Sequence, residues 1–128
     1  MRKHLLALLL LLFVASLAHA QKVDMTRSLE GTTWEGTVRA PNSDGSYTDY
    51  PYVFDFLPEG KVSWKWEGRV FTNGTWTQKG DSLRMVLNDG YSVWVGTIDG
   101  THMTGTASNR LKHEWSWTLD QKVARHTH

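Results

Sequence analysis

The feature that most constrains the fold of this chain is a two-residue alternation of apolar and polar side chains between residues 31 and 120. It is clearest in segments 62–67, 83–87 and 114–119. Because successive side chains of a β-strand point to opposite faces, this period buries one set of side chains and leaves the other in water. No helical period follows the N-terminus, so the sequence predicts an all-β protein.

Turn residues divide this region into eight candidate strands. The predicted strands are residues 32–39, 52–57, 61–67, 70–78 (interrupted at Asn73-Gly74), 82–87, 91–98, 102–108 and 114–119. Glycine-bearing connections such as 58–60, 79–81 and 88–90 are short enough to make neighbours in sequence neighbours in space. An eight-stranded meander has two unpaired edges unless it closes on itself. We therefore predict an eight-stranded antiparallel up-and-down β-barrel in preference to a sandwich.

One connection differs from the others, because it is long and rich in Pro, Asn, Ser, Asp and Gly. It spans residues 41–51 and carries Tyr47 and Tyr50. Binding residues concentrate on such loops above a rigid scaffold. We expect this loop to lie across one mouth of the barrel, with both tyrosines controlling access to the interior.

Tryptophan is abundant, with seven residues in the chain. The alternation directs six of them inward, namely Trp34, Trp64, Trp66, Trp76, Trp115 and Trp117. Strand 91–98 can bury either Val93 and Val95 or Trp94 and Ile98. An eight-stranded barrel can be filled by side chains or can hold one small ligand, so a solid aromatic core and an aromatic-walled pocket both remain open. For the pocket, the candidate ligand-binding residues are Tyr47, Tyr50, Trp64, Trp66, Trp115 and Trp117.

The N-terminus has the pattern of a secretory signal peptide. Basic residues at positions 2–4 precede an apolar run at 5–17 and the small-x-small site Ala18-His19-Ala20. The expected organisation is a signal peptide (1–20), a lead-in (21–30), a barrel domain (31–120) and a C-terminal tail (121–128). We expect a soluble periplasmic or secreted protein that has no membrane contact after cleavage. Cysteine is absent from the sequence, which excludes a disulfide.

Several functions are disfavoured by composition. The chain carries 14 Lys and Arg against 13 Asp and Glu, so it lacks the basic field that nucleic acids require. No nucleophile motif occurs, and a tail dyad, His126 and His128, is a poor metal site without a rigid frame. On the predicted register Asp55 and Glu114 face water. We therefore expect no catalytic residues, no metal and no cofactor.

At the first strand the chain resembles the calycin group, which includes lipocalins, avidins and small bacterial inhibitors. Lipocalins begin their barrel with Gly-x-Trp and avidins with Gly-Thr-Trp, whereas this chain has Gly31-Thr32-Thr33-Trp34. The resemblance implies a lipocalin-like barrel with a binding role. It also implies that Trp34 closes one end and stacks on a late basic residue, for which Arg110 is better placed than Arg125.

These observations favour an exported, non-enzymatic barrel that binds a small apolar or aromatic molecule. The alternative is a protein-interaction or protease-inhibitor-type barrel with a solid core, which would use its N-terminal segment 21–29. A small barrel enzyme ranks third. The sequence leaves the ligand, the partner and the oligomeric state open.

Overall fold

The computed structural model describes residues 26–123, which form a closed antiparallel barrel with one strand after another around the wall. The strands are β1 (Thr33–Pro41), β2 (Tyr47–Leu57), β3 (Lys61–Trp66), β4 (Arg69–Lys79), β5 (Ser82–Leu87), β6 (Ser92–Asp99), β7 (His102–Asn109) and β8 (Glu114–Lys122). A 3₁₀ turn, Pro58–Gly60, joins β2 to β3. Pairing of β1 with β8 closes the barrel, which confirms the predicted all-β, up-and-down topology.

Side chains from every strand fill the barrel interior. Strand β6, which the sequence left ambiguous, turns Trp94 and Ile98 inward and leaves Val95 on the outer wall, 46% exposed. The buried apolar residues are Leu29, Trp34, Val38, Phe54, Phe56, Val62, Trp64, Leu83, Met85, Leu87, Trp94, Ile98, Met103, Ala107, Trp117 and Leu119. The six tryptophans predicted to face inward all pack in or against this core.

Two paired glycines make room for the ring of Trp117. Gly96 and Gly105 are opposite each other on β6 and β7. A Cβ atom on either glycine would lie 2.4 Å from a carbon of the Trp117 ring. The ring therefore packs directly on the backbone at this pair, and its Nε1 donates a hydrogen bond to the carbonyl oxygen of Thr106 (3.0 Å).

The prediction of a long loop over residues 41–51 is wrong. Strand β1 continues to Pro41 and β2 begins at Tyr47, so the connection is only the turn 42–46. Hydrogen bonds within that turn and the Arg39–Asp49 ion pair (2.9 Å) hold the long hairpin together. Pro51 is tolerated inside β2 because the pairing of β2 with β3 begins only at Val53.

A β-bulge replaces the interruption that the sequence suggested at Asn73-Gly74. The register of β3 against β4 shifts between the pairs Val62–Gly74 and Trp64–Phe71. An extra residue in one strand changes which side chains face inward. The bulge therefore explains how Phe71 and Trp76, at positions of opposite parity on β4, both pack against the core.

One end of the barrel, here called the Leu29 end, contains the start of β1 and is covered by the segment before it. Leu29 is 3% exposed, and its N–H donates to Oε1 of Gln78 (2.9 Å). Trp34 lies at this end, whereas Arg110 lies in the β7–β8 turn at the opposite end. The expected Trp34–Arg110 stacking is therefore wrong, while Arg125 and the predicted signal peptide lie outside the described residues.

Candidate functional site

The opposite end of the barrel, the Trp66 end, carries a group of five aromatic rings that we call the mouth cluster. Its members are Tyr50 and Tyr52 of β2, Trp66 of β3, Trp94 of β6 and Trp115 of β8. Trp94 is buried, and the other four rings are half-buried. The cluster thus lies between the solid core and water, at the place where the strands end.

The rings of the mouth cluster are in continuous contact across the barrel. The Trp66 ring lies 6.2 Å from the rings of both Tyr50 and Tyr52, edge-on to the first and stacked on the second. The ring centres of Tyr52 and Trp94 are 5.7 Å apart. Those of Trp94 and Trp115 are 5.6 Å apart, in an edge-on contact. Such offset and edge-to-face contacts are the favourable arrangements for aromatic pairs. Packing of this kind holds the rings in fixed positions.

Two indole N–H groups of the mouth cluster have no acceptor. Within residues 26–123, Nε1 of Trp66 and Nε1 of Trp115 are buried without a hydrogen-bond partner. By contrast, the N–H groups of Trp34, Trp76, Trp94 and Trp117 each donate to an oxygen at 2.9–3.1 Å. A buried donor left unpaired costs about 1–3 kcal/mol, so both indoles favour contact with an external acceptor.

The phenol of Tyr52 is electrostatically unusual. Burial raises its pKa to about 12, and the negative charge of Glu67 and the neighbouring Tyr50 act in the same direction. A phenol is protonated at neutral pH even at the ordinary pKa of 10, so the raised pKa keeps Tyr52 a hydrogen-bond donor at more alkaline pH as well. Glu67 lies near the Trp66 side of the mouth, together with Arg69, the strand partner of Trp66.

The six predicted site residues divide into three groups. Tyr50, Trp66 and Trp115 come together in the mouth cluster. Trp64 and Trp117 belong to the core, with exposures of 6% and 1%, and Trp64 stacks on Phe71 at 5.2 Å. Tyr47 lies on the outer wall, 63% exposed, with the Arg39 guanidinium 5.5 Å from its ring centre.

Sequence reasoning missed two members of the mouth cluster, Tyr52 and Trp94. Tyr52 lies two positions from both Tyr50 and Phe54 and therefore faces the same side of β2. This relation becomes apparent only when β2 begins at Tyr47. Trp94 was hidden by the equally apolar Val93 and Val95 on the other face of β6. Its inward position is fixed by contacts with residues distant in sequence, including Phe54 at 5.4 Å.

A groove of about 540 Å³ runs along the outer wall near the Trp66 end. Residues of β1, β2, β6, β7 and β8 line it. Arg39, Tyr47, Val95 and Glu114 are exposed, whereas Ala107 is buried and Trp115 belongs to the mouth cluster. The groove combines apolar side chains with charges of both signs. The groove therefore lies mostly on the outer wall, and Trp115 connects it to the mouth cluster.

The ionisable residues considered in the sequence lie apart from one another in the structure. Within residues 26–123, no group of three or more His, Asp and Glu side chains is placed to hold a metal ion. Asp55 faces outward, as predicted, and accepts a hydrogen bond from the Thr33 hydroxyl (2.6 Å). Glu114 is exposed, and His102 forms an exposed pair with Asp120 at 2.8 Å.

Comparison with known proteins gives no relative from which a function can be transferred. The chain matches no protein-family model, no curated protein and no solved structure. In the described part of the chain, no helix has the length and apolar character needed to cross a membrane. The function must therefore be argued from the mouth cluster itself.

Proposed function

We propose that this protein is a non-enzymatic binding barrel whose ligand is a small planar aromatic molecule with a hydrogen-bond acceptor, bound at the mouth cluster. The ligand is an aromatic molecule, as the sequence favours, but it binds at the mouth of the barrel and not in an interior pocket. In this proposal the ligand lies on the rings at the Trp66 end, above the core.

The observation that carries the proposal is the pair of buried, unpartnered indole N–H groups on Trp66 and Trp115. Buried polar groups are nearly always paired in folded proteins, and exceptions call for a functional or structural explanation. Both donors belong to the half-buried part of one aromatic cluster. A ligand acceptor that reached them would gain a hydrogen bond without displacing one from the protein.

The packing of the core supports the mouth over the interior as the binding place. Trp34, Phe54 and Trp117 are at most 1% exposed, and Leu29 covers the opposite end. A ligand inside the barrel would have to displace these rings, and each large core side chain contributes about 3–5 kcal/mol to stability. A ligand at the mouth meets rings that are already partly exposed, and its acceptor reaches a buried N–H group when the ring of Trp66 or Trp115 shifts.

The proposal is tested by isothermal titration calorimetry of the purified protein with 2-naphthamide, a planar aromatic probe with a carbonyl acceptor. The variant Trp66→Phe/Trp115→Phe keeps aromatic rings and removes both N–H donors. Since a hydrogen bond contributes about 0.5–1.5 kcal/mol net, losing the one that the carbonyl oxygen accepts should weaken binding by about 2- to 12-fold.

The matched control is Trp76→Phe, which removes an indole N–H at the Leu29 end that donates to the Leu57 carbonyl oxygen. We expect this variant to bind 2-naphthamide as the parent does. Equal binding by the parent and the double variant, or no binding by the parent, would contradict the proposal. Chemical denaturation of each variant checks that the barrel remains folded.

A second candidate function is protein interaction through the outer-wall groove. The observation that favours it is the exposure of Tyr47 (63%) and Val95 (46%), both of which line that groove. Aromatic residues are enriched at protein interfaces. This function is favoured over the first if the parent protein does not bind the aromatic probe.

A further inference from the structure

A second groove, of about 560 Å³, opens beside the mouth cluster at the β7–β8 turn. It is lined by Ala40, Pro41, Asn109, Lys112, His113, Glu114 and Trp115. Trp115 therefore belongs both to this groove and to the mouth cluster, where its ring contacts Trp94. The groove and the mouth cluster therefore share one residue and adjoin each other.

The β7–β8 turn presents basic side chains in a fixed conformation. Oδ1 of Asn109 accepts hydrogen bonds from the backbone N–H groups of Leu111 and His113, both at 3.0 Å. Lys112 has a positive φ of 62°, a conformation that is uncommon for residues other than glycine. The turn is thus held in one shape, with Lys112 and His113 lining the groove.

Lys112, the lysine in this groove, forms no ion pair with the described residues. Between residues 26 and 123, the ion pairs are Arg39–Asp49 and His102–Asp120, so Lys112 takes part in neither. Glu114 also lines the groove and partly opposes the positive charge. The groove nevertheless offers the Lys112 ammonium beside Trp115, whose unpartnered N–H is buried next to it.

The two sides of the mouth differ in the charged side chains that they place next to the rings. On the β3–β4 side, Glu67 lies close enough to Tyr52 to add to the rise in its pKa that burial causes, and Arg69 is the strand partner of Trp66. On the β7–β8 side, Lys112 and His113 line the groove next to Trp115. An asymmetric ligand would therefore place its neutral ring towards Trp66 and any negative group towards Trp115.

We propose that the ligand of the mouth cluster is an aromatic carboxylate, whose ring lies on the cluster and whose carboxylate is held by Lys112, His113 and the Trp115 N–H. This inference rests on the proposed function. It adds the charge of the ligand and its orientation. Charge-assisted hydrogen bonds to a carboxylate are stronger than neutral ones, which gives the acid an advantage over an uncharged molecule of the same shape.

The test compares two probes that differ in charge, 2-naphthoate and 2-naphthamide, by calorimetry on the same protein. We expect the parent to bind the carboxylate about 3- to 10-fold more tightly than the amide, a preference that weakens as salt is added. The variant Lys112→Gln/His113→Gln should bind both probes about equally. The charge-matched control Arg84→Gln, on the exposed face of β5, should keep the preference.

The outcomes separate this inference from the function on which it rests. If both probes bind through Trp66 and Trp115 but the parent does not prefer the carboxylate, the inference is overturned and the proposed function stands. A preference that survives Lys112→Gln/His113→Gln also overturns it. If the parent binds neither probe, the inference and the proposed function both fail.

Discussion

Replacing Trp117 with alanine should destabilise the barrel by about 3–5 kcal/mol, the usual cost of truncating a large buried side chain. The ring is 1% exposed, contacts Trp94 at 6.1 Å and fills the slot over the Gly96–Gly105 pair. The substitution also removes the hydrogen bond that the indole N–H donates to the Thr106 carbonyl oxygen. Urea denaturation followed by circular dichroism measures the loss.

The control for this prediction is Tyr47→Ser, which truncates an aromatic ring on the outer wall. Since Tyr47 is 63% exposed, this change should alter stability by no more than about 0.5 kcal/mol. Trp117→Phe should fall between the two variants, which keeps the comparison informative if the alanine protein does not fold. Equal midpoints for Trp117→Ala and Tyr47→Ser would show that the core is wrongly placed.

Gly96→Ala should destabilise the barrel by about 1–3 kcal/mol, the typical cost of overpacking a filled core. The added methyl would lie 2.4 Å and 2.6 Å from two carbons of the Trp117 ring, and 2.7 Å from the Thr104 carbonyl oxygen. The ring has little room to move away, because it is 1% exposed and packs against Trp94 in the filled core. Thermal and urea denaturation both measure this effect.

The mechanism of that loss is tested by a double variant. If the clash with the indole is the cause, Gly96→Ala/Trp117→Phe should lose less stability than the sum of the two single losses. Thr97→Val, on the exposed face of the same strand, is the control and should have little effect. Strict additivity of the two changes would mean that the glycine is required for another reason.

Local patterns in the sequence determine most of the fold. Period-two alternation and short glycine turns were sufficient for the strands, their order and the closure of the barrel. The same parity placed Trp34, Trp64 and Trp117 in the core, where they are at most 6% exposed. These features depend on neighbouring residues, so a single sequence contains the information for them.

The features that the sequence did not reveal depend on specific side-chain contacts. Segment 41–51 has the composition of a loop, yet the Arg39–Asp49 pair and the extended hairpin order most of it. The cover at the Leu29 end depends on Gln78, which is 49 positions further along the chain. Composition alone cannot anticipate either contact.

The candidate site was only partly predictable for a related reason. Parity identified Trp66 and Trp115 as inward-facing, but it could not show that both lie near strand ends at the same end of the barrel. Their unpartnered N–H groups are visible only in three dimensions. The groove at Lys112 likewise appears only when the β7–β8 turn lies next to the end of β1.

The central claim, that binding occurs at the mouth cluster and not in the interior, is tested most directly by the indole N–H signals in a ¹H–¹⁵N spectrum. The seven tryptophans give one such signal each, and single Trp→Phe variants assign them. On addition of 2-naphthamide, we predict that the signals of Trp66 and Trp115 move furthest, while those of Trp34 and Trp117 stay in place. Larger shifts at Trp34 and Trp117, or no shift at any indole, would contradict the claim.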